Sequence, residues 1–354
     1  VRILDRYIGV AVIVGALTTL LVLVGLSGFF AFVGEMGDIG KGQYGLVEAI
    51  QYVLLTLPRR VYELFPMASL IGALLGLGAM AGHSELVVIR AAGVSLLRIG
   101  RSVIQAGLVL TLAAVVIGEF IAPPAEQEAE NLRSLAQSDR ITFKGRYGFW
   151  ARDGSSYLNI QQILPGRRLS GVSIYELDEQ HRLHTATRAE TAVYEGDSWI
   201  LEDVRQSIIS PEGVRTKTFA RASWDSLLEP DLLNVVVVKP ESLAAWDLLT
   251  FIRYLETNGL DSGRYELAFW VKVVLPLSSL VMVLLSMPFV FGPLRSTGAG
   301  QRILVGVLIG ISFYLINKTL THLSLVYGYS PALSAAAPSL VFLAVAVYAL
   351  HRVR

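Results

Sequence analysis

Side chains able to do covalent chemistry are sparse in this sequence, whereas those able to carry force or hold an anion fall into a few clusters. The richest is Ser84-Glu85-Leu86-Val87-Val88-Ile89-Arg90-Ala91-Ala92-Gly93. Ser84 is placed to cap a helix, Glu85 sits at its positive end, and Gly93 can close it in a left-handed turn. The result is a short apolar-faced helix with two readings of equal standing on residue types alone. One is a helix lying among lipid head groups; the other is a coupling helix seated in a groove of a separate ATPase. A second feature is a cation, Lys318, which stands beside Asn317 deep in an apolar stretch. An ionisable group at that depth implies a cavity or another subunit beside it. Lys272 lies nearer an interface, where a lysine is expected to snorkel.

Other chemistries lack their residues. Gly37–Lys41 reads GDIGK and continues with glycine, so it has no hydroxyl for magnesium and no preceding strand, and we read it as a turn. The five histidines form no HExxH pair, and no GxSxG is present. Cysteine is absent, which removes disulfides, thiol nucleophiles and cysteine-bound metals. The expectation is a non-catalytic chain with no metal and no cofactor of its own. A net charge of +1 gives no reason to expect nucleic acid.

The elements that must position these clusters are membrane spans. Hydrophobic residues make up 53% of the 354 and charged residues only 17%, against roughly a quarter charged in soluble domains. Six segments are long and apolar enough to cross a bilayer: about 7–33, 61–81, 102–122, 267–291, 303–326 and 331–350. Short-loop arginines at 2, 6, 90, 98, 101, 295, 302, 352 and 354 mark one face as cytoplasmic, with both termini on it. Arg59–Arg60 and Lys41 fall on the opposite face. Gly72, Gly76, Gly78 and Gly82 let another helix approach closely, and packing within the chain is favoured over a subunit contact.

Pro123-Pro124 is expected to end the third span. A helix-prone stalk follows at 125–137. Short runs with turn signals then predict strands at 146–151, 157–163, 172–177, 182–194, 198–207, 214–224 and 234–238. An amphipathic helix closes the insert, with Leu243, Trp246, Leu249, Tyr254 and Leu255 as its apolar stripe. The chain therefore divides into helices over 1–123, a β domain with flanking helices over 124–263, and three further spans over 264–354. The fold class is a six-span α-helical membrane protein with an inserted all-β domain.

Ordered segments along the whole chain resemble a known family. They include LDRYI at 4–8, FPMA at 65–68, GALLGLG at 72–78, Ser84–Gly93, GVSIY at 171–175, FGPLRS at 291–296 and LVYG at 325–328. The chain is similar to the lipopolysaccharide export permeases LptF and LptG, and more to the LptG side of that family. The resemblance implies a permease subunit of an ATP-driven transporter in the bacterial inner membrane, multi-pass, with a periplasmic β-jellyroll. It implies a heterodimer with an LptF-like permease on an LptB-like ATPase dimer, which would hold the ATP and magnesium, with an LptC-like single-span protein beside them. Lipopolysaccharide would be extracted and passed to a periplasmic bridge. Glu85, Leu86, Arg90 and Gly93 would engage the ATPase. Lys41, Arg133, Phe29, Phe30, Phe65 and Lys318 would lie along the substrate path, although Ala31 stands where some relatives have lysine. Other readings are a membrane-anchored scaffold for envelope assembly and an ion-coupled secondary transporter.

Overall fold

The computed structural model describes residues 2–137, 149–153, 156–164, 168–178, 180, 182–195, 198–210, 213–224, 239–292 and 297–352. Among the described residues, six helices are long and apolar enough to span a membrane, and a β-sheet is inserted between the third and fourth. The helices are α1 (Arg2–Glu35), α2 (Leu46–Gly82), the short α3 (Glu85–Ala91), α4 (Leu96–Val116) and α5 (Ala122–Gln137). After the sheet come α6 (Ala245–Thr257), α7 (Gly263–Phe291), α8 (Ala299–Tyr327) and α9 (Pro331–Arg352).

Glycine sets the bundle's tightest contact. A Cβ at Gly72 would collide with the Ala16 and Gly15 backbone, and one at Gly76 with Ala11. Where lipid and side chain are equally apolar, such close approach supplies the dispersion contact that holds helices together. These glycines thus serve α1–α2 packing within the chain, as expected. Gly78 instead receives the Arg302 side chain from α8. Leu70, Leu74, Leu77, Ile99, Val103, Met282 and Val283 fill the core between α2, α4 and α7.

Two boundaries differ from expectation. Helix α2 starts at Leu46, well before 61, because Arg59, Arg60 and Glu63 lower the local hydropathy without breaking the helix. Pro123-Pro124 does not end the third span: a wide turn at Ile117–Ile121, closed by Ala122 N–H to Ile117 O, leads directly into α5. Proline lacks an N–H and its ring crowds the carbonyl four residues back. A widened turn placed just before the pair makes room for both rings.

Among the described residues the insert forms one antiparallel meander of six strands, β1 (Phe149–Asp153), β2 (Ser156–Leu164), β3 (Arg168–Leu177), β4 (Leu183–Glu195), β5 (Ser198–Ser210) and β6 (Gly213–Trp224), in that order. Six of the seven expected strands are present; 234–238 lies outside the described residues. A crease crosses the sheet. Buried positions run 169 then 172 and 174 on β3, 187 and 189 then 192 on β4, and 199 and 201 then 204 on β5, and all but Thr187 belong to one apolar core. Each strand skips one residue there, with Gly171 at φ +66° and Asp203 at φ +52°. Pairing resumes on either side, Val172 with Ala189 and Thr191 with Glu202, so the skips line up. Because every strand skips at the same level, the pairing register is unchanged across the row, and the alternation of faces is reset in all three strands together. Strand β6 pairs with β5, and its 213–221 stretch is exposed on both faces.

Helix α6 joins sheet and bundle. Leu248, Phe251, Ile252 and Leu255 are its buried face, while Trp246 is exposed, so the apolar stripe is rotated from the one expected. Tyr254 packs on the sheet core, and Phe251 meets Tyr265 of α7 with ring centres 4.6 Å apart and planes tilted by 57°.

Candidate functional site

On the side of the bundle that carries the termini, α3 is seated by Leu86, which is 3% exposed, and by Ile89, one helical turn on. Glu85 Oε2 accepts a 2.9 Å bond from the Tyr7 hydroxyl, tying α3 to α1. Ser84 does not cap with its side chain; it takes a left-handed φ of 61°, and its carbonyl receives the Val87 and Val88 N–H groups. Gly93, at φ +89°, closes the helix: its N–H bonds Arg90 O while Val94 N–H reaches Ile89 O. That pair of bonds is the Schellman arrangement, which glycine adopts without steric cost. Val87, Val88 and Arg90 are left exposed beside a cavity of about 370 Å³ that reaches Val290 and Phe291. The surface is thus fixed from behind and open in front.

On the opposite side, the anticipated cations behave differently from one another. Arg133 pairs with Asp38 and, at 3.4 Å, with Glu35, and lies over the Tyr52 ring at 5.0 Å. Lys41 also pairs with Asp38. The hydrogen bonds from Lys41 and then Arg133 hold the Asp38 carboxyl below its usual range. Two cations and two carboxylates balance, so this cluster ties the α1–α2 turn to α5 and has little charge to spare. Phe29 and Phe30 are exposed and meet edge to face at 5.9 Å. Phe65 is 2% exposed and belongs to the core, because the helix phase turns it inward from α2. Lys318 lies on an exposed face of α8, remote in sequence and element from these groups. Phe30 instead joins Leu23, Leu26, Ala31, Leu64 and Arg60 around an open groove of about 490 Å³ along α1 and α2.

A polar network beneath the sheet went unforeseen. Arg59 donates to Glu63 at 2.9 Å, to Glu126 at 2.8 Å and to Ser242 at 3.1 Å. Glu119, in the wide turn, accepts the Ala245 N–H at 2.7 Å at the start of α6. Lys272 does not snorkel away; it lies 3.6 Å from Glu119 and donates to the Leu243 carbonyl. The Arg59–Glu63 spacing of four was the available signal for a helical pair. The longer-range partners had none. Together these bonds fasten the insert's two ends to α2, α5 and α7.

Comparison with known proteins agrees with this architecture. A family model for the lipopolysaccharide export system permease LptF/LptG matches residues 6–352. The lipopolysaccharide export system permease protein LptG of Escherichia coli strain K12 is 37% identical over 353 residues, covering 99% of this chain and 98% of the relative. LptG of Haemophilus influenzae strain KW20 is also 37% identical, covering 99% of each. Matched by that family model along almost its full length, and 37% identical to LptG relatives over 99% of its residues, the chain belongs to the LptF/LptG family of lipopolysaccharide export permeases.

Proposed function

We propose that this chain is a permease subunit that moves lipopolysaccharide out of the bacterial inner membrane, driven by ATP hydrolysis in a separate subunit. The observation that carries the reading is α3: a short helix locked to the core by Leu86 and to α1 by the Tyr7–Glu85 bond, with Val87, Val88 and Arg90 presented outward. A rigid back and an apolar, singly charged front suit a groove on an LptB-like ATPase dimer. Through Tyr7, motion of α3 is transmitted to the first span. An LptF-like permease would cover the exposed faces of α1 and α8, with an LptC-like single-span protein beside them. Both termini then face the cytoplasm and the sheet faces the periplasm, in line with the arginine distribution. Among the described residues β6 is an edge of the sheet and suited to receive the next protein's strand, since backbone hydrogen bonds supply affinity independent of sequence.

The test is Glu85→Lys in the full complex. It removes the acceptor for Tyr7 and reverses charge at the docking face. Recovery of ATPase with the chain should fall by about tenfold or more, with the chain still in the membrane. Native ATPase recovery together with native lipopolysaccharide extraction would overturn the assignment of α3.

A further inference from the structure

The insert is carried by the third and fourth spans, and each has a break in its helical hydrogen bonding at the same level. In the third the break is the wide turn Ile117–Ile121, which runs straight into α5. In the fourth it is Pro276, inside α7. Proline has no N–H, so the Lys272 carbonyl, four residues back, loses its helical donor. The Tyr62 hydroxyl of α2 supplies one instead, donating to Lys272 O at 2.7 Å. The Tyr62 ring lies against Gly118 of the wide turn, so closely that a Cβ there would collide with it. One side chain therefore serves both breaks.

Packing divides α7 at the same place. On the sheet side of Pro276, Tyr265, Ala268 and Phe269 pack with Leu243, Phe251 and Leu255 at the base of the insert. Beyond it, Met282, Val283, Leu285 and Met287 belong to the core of the bundle. Prolines and widened turns are the points at which helices bend. Lys272 is gripped from two directions. Helix α2 holds its carbonyl, while its ammonium donates to the Leu243 carbonyl and lies 3.6 Å from Glu119 of the wide turn. Arg59, three residues before Tyr62, donates to Ser242. The returning chain is thus held at the level of the breaks and can turn about them, but not lift away.

We propose that the wide turn and Pro276 form a two-point hinge on which the insert tilts against the spans, with Tyr62 as the residue that positions it. With the Tyr62–Lys272 bond made, the freed carbonyl is satisfied and α7 is held at one angle. Breaking the bond leaves that carbonyl without a donor in apolar surroundings, so the bond biases the hinge toward one arrangement. Helix α2 also packs on α1 and α8, so a shift within the bundle reaches the insert through Tyr62. The hinge goes beyond the transport reading and stands whatever the spans carry.

The chain has no cysteine, so nitroxide labels can be placed at two introduced ones, Arg253→Cys on α6 and Leu340→Cys on α9, both at exposed positions. Pulsed electron paramagnetic resonance on the full chain in lipid nanodiscs reads the distance between them. With Tyr62 in place, one distance should dominate. Tyr62→Phe keeps the ring and removes only the hydroxyl. The share of other distances should then rise about fivefold, the worth of one neutral hydrogen bond. Adding Pro276→Ala returns an N–H that can serve Lys272 O, and should restore the single distance. Tyr52→Phe, which removes a hydroxyl from the Arg133 cluster, is the control and should change nothing. An unchanged distribution in Tyr62→Phe, an equal spread in Tyr52→Phe, or a spread that Pro276→Ala leaves in place overturns the hinge. Pro276→Ala alone should narrow the native distribution, and a broader one also overturns it.

Discussion

Helices α2 and α8 have the same mean hydropathy, yet 72% of the most apolar stretch of α2 is buried and only 17% of that of α8. Both carry glycine on the face they share: Gly306 and Gly310 of α8 meet Ile71, Leu74 and Met67 of α2. The difference lies in how many faces are used. Helix α2 has α1 on one side, α7 and α8 on others, and α5 along its outer half. Helix α8 touches the bundle through a single stripe of Arg302, Gly306, Gly310 and Phe313, and leaves Leu304, Leu308, Ile311 and Leu315 uncovered. Hydropathy decides that a segment crosses the membrane; the spacing of small residues decides what it crosses beside. In lipid, an uncovered apolar face costs nothing, so α8 is free to meet either acyl chains or another subunit.

The largest test of that contrast is Gly72→Leu. The side chain would have to displace the α1 backbone, which should cost about 3 kcal/mol and leave the chain poorly recovered from membranes. Thermal unfolding of the purified chain checks it; an unchanged midpoint would mean that α1 and α2 are not held by this contact. Gly171→Val in the sheet should come next. It forces a β-branched residue into φ +66° and drives its Cβ onto the Gln161 side chain, costing about 2 kcal/mol. Proteolysis of the insert at graded temperatures reports it, with the membrane helices unaffected.

Leu308→Ala on α8 should change the stability of the isolated chain by no more than about 0.5 kcal/mol. If α8 meets a second permease, the same substitution lowers recovery of that partner. The chain has no cysteine, so a single cysteine at 308 gives a clean accessibility readout with and without the partner. A loss of stability in the isolated chain as large as that of Gly72→Leu would dissolve the contrast.

The smallest effect concerns pH. Asp38 has its carboxyl pKa lowered by Lys41 and Arg133, so its contribution is present above the ordinary carboxylate range and is lost as pH falls through the lowered value. Asp38→Asn should loosen the α1–α2 turn at neutral pH and make no difference in strong acid. Protease sensitivity at 36–45, compared between the two chains across that range, would show the gap closing.

Much of this was readable in the residues, and the exceptions have causes. Apolar length found six spans, but Arg59, Arg60 and Glu63 hid the first turns of α2, because hydropathy counts charges and not the helix that carries them. Two prolines read as a stop, since nothing local announces the wide turn that absorbs them. Glu85, Leu86, Arg90 and Gly93 were found where a rigid short helix needs them. Phe65 was placed on a rim and is in the core, since aromatic type does not reveal helix phase. Arg59 could not be told from Arg60 beside it, because its partners Glu126 and Ser242 are distant in sequence.

The crease at Gly171 and Asp203 bears on how this insert can change over generations. Three neighbouring strands carry the same extra residue at the same level, so no one of them can gain or lose a residue there by itself. Removing Glu190 alone would turn every side chain beyond it in β4 to the wrong face and slip its pairing with β3 and β5 together. Single-residue insertions and deletions should therefore be purged from this row while being tolerated in the hairpin turns at either end of the strands. Length variation among related chains is expected to accumulate at 178–182 and 195–198, and to leave the row through 171, 190 and 203 at constant spacing.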